Sequence, residues 1–297
     1  MSAGGHDPDD RDAAARLARA ARKAAAALDA AAALLITAGA GMGVDSGLPD
    51  FRGDEGFWNA YPPFRRLGLS FVALANPRWF RDDPALAWGF YGHRHNLYRA
   101  TPPHEGFARL LRWGAERAHG AFVFTSNVDG HFQRAGFDAE RIVECHGALA
   151  AWQCTRDCGA GIFTAPAREV AVDPSTFRAA APLPDCPACG ALARPNVLMF
   201  GDGDWDSGRT DAQQARLARW LDGLRATGAS LAIVEYGAGT GVPTVRSFGE
   251  SLAARLPATL IRINVREPEA PRGAISIAAP AAAALAAIDA CLSSRSS

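Results

Sequence analysis

The stretch LLITAGAGMGVDSGLPDFRG, residues 34–53, decides the fold of this chain. An apolar run leads into three glycines within five positions, Gly39, Gly41 and Gly43. A short apolar run closed by glycine is typical of a buried strand in a parallel sheet. A glycine-rich turn after such a strand lets backbone N–H groups approach a phosphate closely. The stretch therefore predicts a strand and phosphate loop of a nucleotide-binding α/β protein.

The spacing of the glycines argues against a hydride-transfer dehydrogenase. Val44 occupies the place of the third glycine in that fingerprint. The expected acidic residue about twenty positions on is also absent, because that region reads Phe57-Trp58-Asn59. From the loop alone, a plain tight turn is the alternative to a phosphate cradle.

Apolar runs and helical stretches alternate along the rest of the chain, which indicates a parallel sheet covered by helices. We predict a Rossmann-like, doubly wound α/β fold. Its strands are expected at 34–37, 121–125, 141–144, 230–235, 260–264 and near 275, and its helices at 11–32, 84–98, 104–117 and 280–292. We expect residues 50–76, rich in aromatic residues, Pro and Gly, to form a mobile loop or short helices.

Composition narrows the class of protein. The 297 residues carry 31 basic and 31 acidic side chains, so no general affinity for nucleic acid or membranes is indicated. The chain begins without the apolar core of a secretory signal, and its most apolar window is interrupted by Asp29. We expect a cytoplasmic protein with no nucleic-acid or membrane partner.

Four of the six cysteines form two close pairs, Cys154/Cys158 and Cys186/Cys189, while Cys145 and Cys291 stand apart. In an intracellular chain this pattern favours metal over disulfides. Four thiolates suit a tetrahedral structural Zn²⁺, and Gly190 after the second pair permits a tight turn. The three-residue gap in the first pair leaves a degenerate module with free thiols as the alternative.

Read together, the motifs resemble the sirtuin family. Gly39-Ala40-Gly41 followed by Ser46-Gly47-Leu48-Pro49-Asp50-Phe51-Arg52 is similar to its signature. Further matches occur in family order at residues 125–130 (TSNVDG), 144–147 (ECHG), 194–201 (RPNVLMFG) and 263–264 (IN). The resemblance spans about residues 30–290 and implies NAD as a consumed substrate, with acyl transfer from lysine to ADP-ribose.

The resemblance also implies roles for individual residues. His146 would be the general base, since an unperturbed imidazole titrates near neutral pH, and Asn127 and Asp129 would line the nicotinamide pocket. Phe51 would cover the reacting sugar and Arg52 would help hold phosphate. The full set expected to bind the dinucleotide is Gly39, Ala40, Gly41, Asp50, Phe51, Arg52, Ser126, Asn127, Asp129, Gly237, Ala238, Gly239, Asn264 and Ile275.

The acyl-lysine substrate would bind along Val197, Met199, Phe200 and Gly201, where an extended peptide could pair by β-augmentation. The bland alternative is an ordinary buried strand. Tyr91 and Arg94, three apart on a predicted helix, resemble the pair of family members that remove acidic acyl groups, because arginine suits a carboxylate. A core tyrosine beside a solvated arginine is the equally weighted alternative.

Departures from the family pattern keep other functions open. Gly43 replaces a serine, Ser126 stands where the family has glutamine, and Gly237-Ala238-Gly239 replaces Gly-Thr-Ser. The leading prediction is an NAD-dependent protein-lysine deacylase, a deacetylase with succinyl and malonyl groups as further candidate substrates. The alternatives are an NAD glycohydrolase or protein ADP-ribosyltransferase on the same fold, and a catalytically weak NAD-binding signalling module.

The resemblance sets the expected domain organisation. A discontinuous Rossmann-like NAD-binding domain would comprise residues 11–50, 100–150 and 192–292. A cofactor loop and helical insertion would occupy 51–99 and a zinc-binding small domain 151–191. Residues 1–10 and 293–297 are expected to be disordered.

Overall fold

The computed structural model describes residues 8–49 and 53–294. The helices are α1 (Pro8–Asp29), α2 (Gly41–Val44), α3 (Gly53–Ala60), α4 (Pro62–Arg66), α5 (Phe71–Leu74), α6 (Trp79–Asp82), α7 (Pro84–Ala100), α8 (Glu105–Ala115), α9 (His131–Arg134), α10 (Gly208–Thr227), α11 (Thr244–Ala253) and α12 (Ala281–Ser293). The strands are β1 (Ala33–Ala38), β2 (Ala121–Thr125), β3 (Ile142–Glu144), β4 (Gly147–Cys154), β5 (Ile162–Thr164), β6 (Ala193–Val197), β7 (Leu231–Tyr236), β8 (Ala258–Ile263) and β9 (Ile275–Ile277).

Six strands form one parallel sheet in the order β3-β2-β1-β7-β8-β9. The pairings β1–β7, β7–β8 and β8–β9 are parallel, with Thr37 opposite Glu235 and Glu235 opposite Arg262. The order runs outward from β1 in one direction and then restarts at β7 in the other. This is the doubly wound arrangement, whose switch point lies between β1 and β7. The predicted fold class is confirmed.

The predicted elements hold with small shifts of their ends. α1 begins at Pro8 rather than Arg11, because proline is tolerated in the first turn of a helix. α1 therefore includes residues 8–10 of the segment expected to be disordered, and residues 1–7 lie outside the described residues. At the other end, α12 continues to Ser293, while residues 295–297 are outside that range. The segment after residue 52 forms the short helices expected there.

The chain divides into two units. The first comprises residues 1–45, 104–124 and 218–297, and the second comprises 46–103 and 125–217. Residues 125–150 and 192–217 thus belong with the helical and cysteine segments, whereas the sequence analysis grouped them mostly with the nucleotide-binding domain. None of the helices within residues 8–49 and 53–294 is long and apolar enough to cross a bilayer.

The first unit is built on continuous apolar strands. Every residue of β1 and of β7 is buried, as expected for strands covered on both faces. His104 caps α8, since its Nδ1 accepts the N–H of Gly106 at 3.0 Å.

The second unit has an aromatic core and a small antiparallel sheet. Phe57, Tyr61, Phe64, Phe90 and Phe177 pack with ring centroids 5.3 to 6.1 Å apart. The sheet has the order β5-β4-β6, and its pairing shifts between Ala148 and Trp152. This sheet carries the first two cysteines of the predicted metal site on and just after β4.

Candidate active site

The two predicted glycine loops meet at the switch point of the sheet, within the first unit. Gly39 donates its N–H to the carbonyl of Tyr236 at 2.8 Å, and Gly41 donates to the carbonyl of Gly237 at 3.1 Å. The structure therefore joins Gly39, Ala40 and Gly41 to Gly237, Ala238 and Gly239, although the two segments are far apart in sequence. Ligands of open α/β sheets bind in the crevice at this point.

Glycine is required on both sides of this contact. A Cβ atom on Gly39 would lie 2.8 Å from Ala238 Cα and from the carbonyl oxygen of Gly237. Gly237 has φ +53°, and a Cβ there would lie 2.4 Å from Gly41 Cα. The two loops thus approach each other through bare backbone at Gly39 and Gly237, where there is no room for a side chain.

Asn264, the residue after β8, fastens the second loop. Its Nδ2 donates to the carbonyl of Ala238 at 3.0 Å, and its Oδ1 accepts the N–H groups of Arg266 and Glu267. The side chain is buried, so Asn264 has a structural role besides its predicted one in dinucleotide binding. Ile275, also in the predicted dinucleotide-binding set, is the first residue of β9 and pairs with Ile261.

Three further residues of this loop cluster were missed in the sequence analysis. Thr240 donates its N–H to Glu267 Oε2 at 3.1 Å. Arg246, buried on α11, donates to the carbonyls of Ala238 at 3.5 Å and Glu269 at 2.8 Å. Thr240 directly follows the predicted loop, and Glu267 lies three residues after Asn264. Their position as polar residues beside a motif was the signal in the sequence that could have identified them.

Asp50, Phe51 and Arg52, predicted to cover the reacting sugar and hold phosphate, lie outside the described residues. Their assignment stays a prediction.

The polar segment after β2 lies in the second unit and is held by its own backbone. Asn127 donates its N–H to Thr125 Oγ1 at 3.0 Å, and Asp129 Oδ1 accepts the N–H of His131 at 2.9 Å. Gly130 between them is left-handed, with φ +69°. The side chains of Ser126, Asn127 and Asp129 are only half-buried, so they remain accessible in this segment.

His146 lies in the turn between β3 and β4, in the same unit. Its backbone carbonyl accepts the N–H of Leu198 at 3.0 Å. The next residue must be glycine, because Gly147 has φ +75° and a Cβ there would lie 2.0 Å from the carbonyl oxygen of Asn196. The ring is half-buried, and burial lowers the pKa of His146 below 6.5. The neutral imidazole is therefore the dominant form at pH 7, as a general base requires.

The predicted acyl-lysine wall begins at the end of a buried strand and continues beyond it. β6 ends at Val197, and Leu198 and Phe200 expose their side chains while Met199 is buried. Gly201 has φ +69°. The carbonyl of Val197, assigned as an acceptor for substrate, already receives Arg194 Nη2 at 3.0 Å, so one of its two lone pairs is committed.

A buried ion pair closes this turn on itself. Arg194 Nη1 donates to Asp202 Oδ1 at 2.9 Å, and Asp202 Oδ2 accepts the N–H of Met199 at 3.2 Å. Both side chains are almost fully buried, at 3% and 0% exposed. Arg194 belongs to the predicted motif, but its partner Asp202 was missed because the ion pair depends on the path of the turn.

Tyr91 and Arg94 share one face of α7, as predicted, but both are buried. Arg94 donates from Nε and Nη2 to the hydroxyl of Tyr98 at 3.1 and 3.0 Å, and its guanidinium lies 6.0 Å from the ring centre of Tyr91. Burial raises the pKa of Tyr91 to about 12. Burial disfavours the charge on Arg94, yet the hydroxyls of Tyr98 and Tyr61 outweigh it and raise the pKa of that side chain. The alternative of a solvated arginine is therefore wrong.

The four predicted metal ligands converge. The sulfur atoms of Cys154, Cys158, Cys186 and Cys189 all lie within 4.8 Å of one another. Cys154 Sγ and Cys189 Sγ are 3.6 Å apart, as are Cys158 Sγ and Cys186 Sγ. Zn–S bonds of about 2.3 Å in a tetrahedron require sulfur atoms about 3.8 Å apart. The cluster therefore fits a structural zinc ion, whose role would be to hold the loops that carry the cysteines.

His95, His131 and Cys145 take structural places. Both histidines are buried. Cys145 packs as a small apolar residue, and burial raises the pKa of its thiol to about 12.

Comparison with known proteins adds independent findings. The sequence profile of the Sir2 family matches residues 39–234. The chain is 34% identical over 172 residues to NAD-dependent protein deacylase 1 of Archaeoglobus fulgidus, which covers 57% of this chain and 60% of the relative. It is 32% identical over 184 residues to NAD-dependent protein deacylase sirtuin-5, mitochondrial, of Canis lupus familiaris, covering 57% and 56%. The matches thus span less than two thirds of the length of these curated relatives.

Solved structures match over nearly the whole chain. A Sir2 homologue in complex with NAD aligns with a TM-score of 0.68 at 26% identity, covering 93% of this chain and 94% of the other. A mutant Sir2 homologue in complex with ADP-ribose aligns with a TM-score of 0.63 at 26% identity, covering 90% and 96%. Because the family profile extends over well more than half of the residues, from the first glycine loop through His146 and into β7, this chain belongs to the Sir2 family, the sirtuins.

Proposed function

We propose that this chain is an NAD-dependent protein-lysine deacylase that transfers the acyl group of an acyl-lysine to ADP-ribose and releases nicotinamide. The observation that carries the proposal is a half-buried His146, neutral at pH 7, in the turn that a Sir2 chain uses for its His-Gly motif. The names of the curated relatives support it, since both are NAD-dependent protein deacylases.

Binding of the dinucleotide would use backbone more than side chains. The loops at Gly39–Gly41 and Gly237–Gly239 contain only glycine and alanine, so a pyrophosphate could approach their backbone closely. The N–H groups of Gly39, Gly41 and Gly237 are used within the fold, so the ligand would bind other peptide groups of the two loops. Asn264 holds the second loop in place through Ala238. A structural neighbour of this chain is itself an NAD complex, which supports this assignment.

In the reaction we propose, the amide oxygen of acyl-lysine attacks the anomeric carbon of the nicotinamide ribose, and the bond to nicotinamide breaks. His146 accepts a proton from a ribose hydroxyl, whose oxygen then attacks the acyl carbon. Water completes the release of the lysine amine, and the acyl group remains on ADP-ribose. Asn127 and Asp129 would bind the carboxamide of nicotinamide, the former as both donor and acceptor and the latter as acceptor.

We further propose that the acyl pocket accepts a carboxylate-bearing chain. Arg94 is a buried cation whose neighbours Tyr61, Tyr91 and Tyr98 all have raised pKa values and stay uncharged. A buried guanidinium among neutral hydroxyls attracts an acidic group more strongly than a solvated one. On succinyl-lysine peptides Arg94→Met should lower kcat/KM, because the activation free energy should rise by about 2 kcal/mol, as expected for the loss of a hydrogen bond to a charged group. Equal losses on succinyl- and acetyl-lysine peptides would refute this pocket.

The test is mass spectrometry of NAD turnover with matched acetyl- and succinyl-lysine peptides. Peptide-dependent O-acyl-ADP-ribose supports the proposal, and His146→Ala should abolish it while His119→Ala leaves it unchanged. Free ADP-ribose formed without peptide would indicate an NAD glycohydrolase instead. ADP-ribose attached to protein would indicate a transferase, and NAD binding without turnover would indicate a binding module.

A further inference from the structure

Helix α10, which contains none of the sequence motifs, binds Glu144, the residue two positions before His146. Glu144 ends β3 and is 2% exposed. Its carboxylate forms an ion pair with Arg209, at the start of α10. Its carbonyl accepts the Thr210 hydroxyl at 3.1 Å, and its N–H donates to Gln213 Oε1 at 3.0 Å. Every polar group of Glu144 is thus engaged by the first two turns of α10.

Further hydrogen bonds and close contacts hold the turn that bears His146. Cys145 donates its N–H to the carbonyl of Thr125 at 2.8 Å, so the next residue is fixed to the end of β2. Thr125 Oγ1 in turn accepts the N–H of Asn127. Only one residue separates Glu144 from His146, and Gly147 is pressed against Asn196. The turn is therefore clamped on both sides, by α10 before the histidine and by β6 after it.

Glu144 and His146 are joined along the chain through Cys145 alone. The connection runs through the backbone, since Glu144 fixes the peptide groups from which the histidine projects. The carboxylate of Glu144 is held by Arg209, and its backbone is held by Thr210 and Gln213. A buried residue whose polar groups are satisfied in this way is fixed in one arrangement.

We propose that Arg209, acting through Glu144, is a positioning residue that sets the orientation of the His146 imidazole. In this chain α10 would then be part of the catalytic architecture. The kinetic part of this inference rests on the proposed deacylase function. Its structural part does not, because the orientation of a ring can be measured without turnover.

The experiment compares Arg209→Met with Arg216→Met. Arg216 lies on the same helix and pairs with Glu140, whose side chain is 70% exposed, so it matches the first variant in helix, residue type and pairing. For each protein kcat, the KM values for NAD and acyl peptide, the melting temperature and the ring ¹H–¹³C correlation of His146 are measured. Arg209→Lys tests rescue by a conservative change, and Thr210→Val removes one backbone bond while keeping the ion pair.

A misplaced general base lowers kcat with little effect on KM, and a displacement on the order of 1 Å costs up to about 100-fold. We expect Arg209→Met to lower kcat by at least about tenfold and to shift the His146 ring signal, with Arg209→Lys recovering most of the loss. Arg216→Met should change neither. An unmoved His146 signal in both Arg209→Met and Thr210→Val overturns the proposal, as does an equal loss of kcat in Arg209→Met and Arg216→Met. If the unmodified protein does not consume NAD, the deacylase assignment fails, and the ring signal alone decides the positioning role.

Discussion

Gly237→Ala is the substitution whose cost follows most directly from the geometry. The residue has φ +53°, a conformation that alanine adopts only with strain. Its new Cβ would lie 2.4 Å from Gly41 Cα and 2.6 Å from Gly41 C. Both are backbone atoms of the facing loop, so no side chain can rotate away, and the two loops must separate.

The loss of folding stability caused by Gly237→Ala has two parts. A left-handed conformation costs alanine about 1–2 kcal/mol, and the overlap adds about 1–3 kcal/mol, as for an overpacked core. The free energy of unfolding should therefore fall by about 2–5 kcal/mol. Relieving the overlap to an ordinary contact moves the loops apart by about 1 Å, which at a preorganised site weakens NAD binding by at least about tenfold.

Denaturant titration and calorimetric NAD binding measure the two effects separately. Gly241→Ala is the matched control, because it lies in the same loop region, and a Cβ there meets nothing within 4 Å. Its stability should change by no more than about 0.5 kcal/mol. The reasoning is refuted if Gly237→Ala behaves like Gly241→Ala in both measurements. It is also refuted in part if stability falls while NAD affinity is unchanged, since the loop would then not hold the dinucleotide.

Three further predictions concern the second unit. Metal analysis should find one zinc ion per chain. Removal of the metal with a chelator, or the substitution Cys189→Ser, should increase hydrogen exchange in β4–β6. The control Cys291→Ser should leave hydrogen exchange unchanged. Because burial lowers the pKa of His146 below 6.5, the fall of kcat/KM on the acid side, caused by protonation of the ring, should have its midpoint below pH 6.5. An acid limb centred at or above pH 6.5 would contradict this assignment. Asp202→Asn breaks a buried ion pair and should lower the free energy of unfolding by about 3–5 kcal/mol and raise the KM for peptide, while Asp185→Asn, at an exposed pair, should change neither.

Local patterns in the sequence were sufficient for the glycine loop and the cysteine cluster. Gly39 and the four cysteines each act through a constraint visible over a few residues: a bare backbone or a ligand spacing. Such constraints do not depend on the path of the rest of the chain. The fold class was also predictable, since apolar runs alternating with helices admit few topologies.

The helix α10 shows where this kind of inference fails. Leu217, Leu221 and Leu224 are buried at helical spacing and were the available signal. Thr210 and Gln213 are also buried, but they are polar, and their burial is explained only by their hydrogen bonds to Glu144. In a sequence, a polar residue that is buried because it bonds a distant partner cannot be told from a solvent-exposed one. For this reason α10 was not predicted.

The sequence by itself determined the doubly wound fold and the family, and it marked His146, the glycines and the four converging cysteines as candidates, because each depends on short-range chemistry. Only the tertiary structure decided that Gly237 faces Gly41, that Arg194 pairs with Asp202 and that Arg94 is buried among tyrosines. It also decided that Glu144 is held by Arg209. These contacts join residues whose separation along the chain carries no period or motif. Their energies come from burial and from the matching of charges, which exist only once the chain has folded.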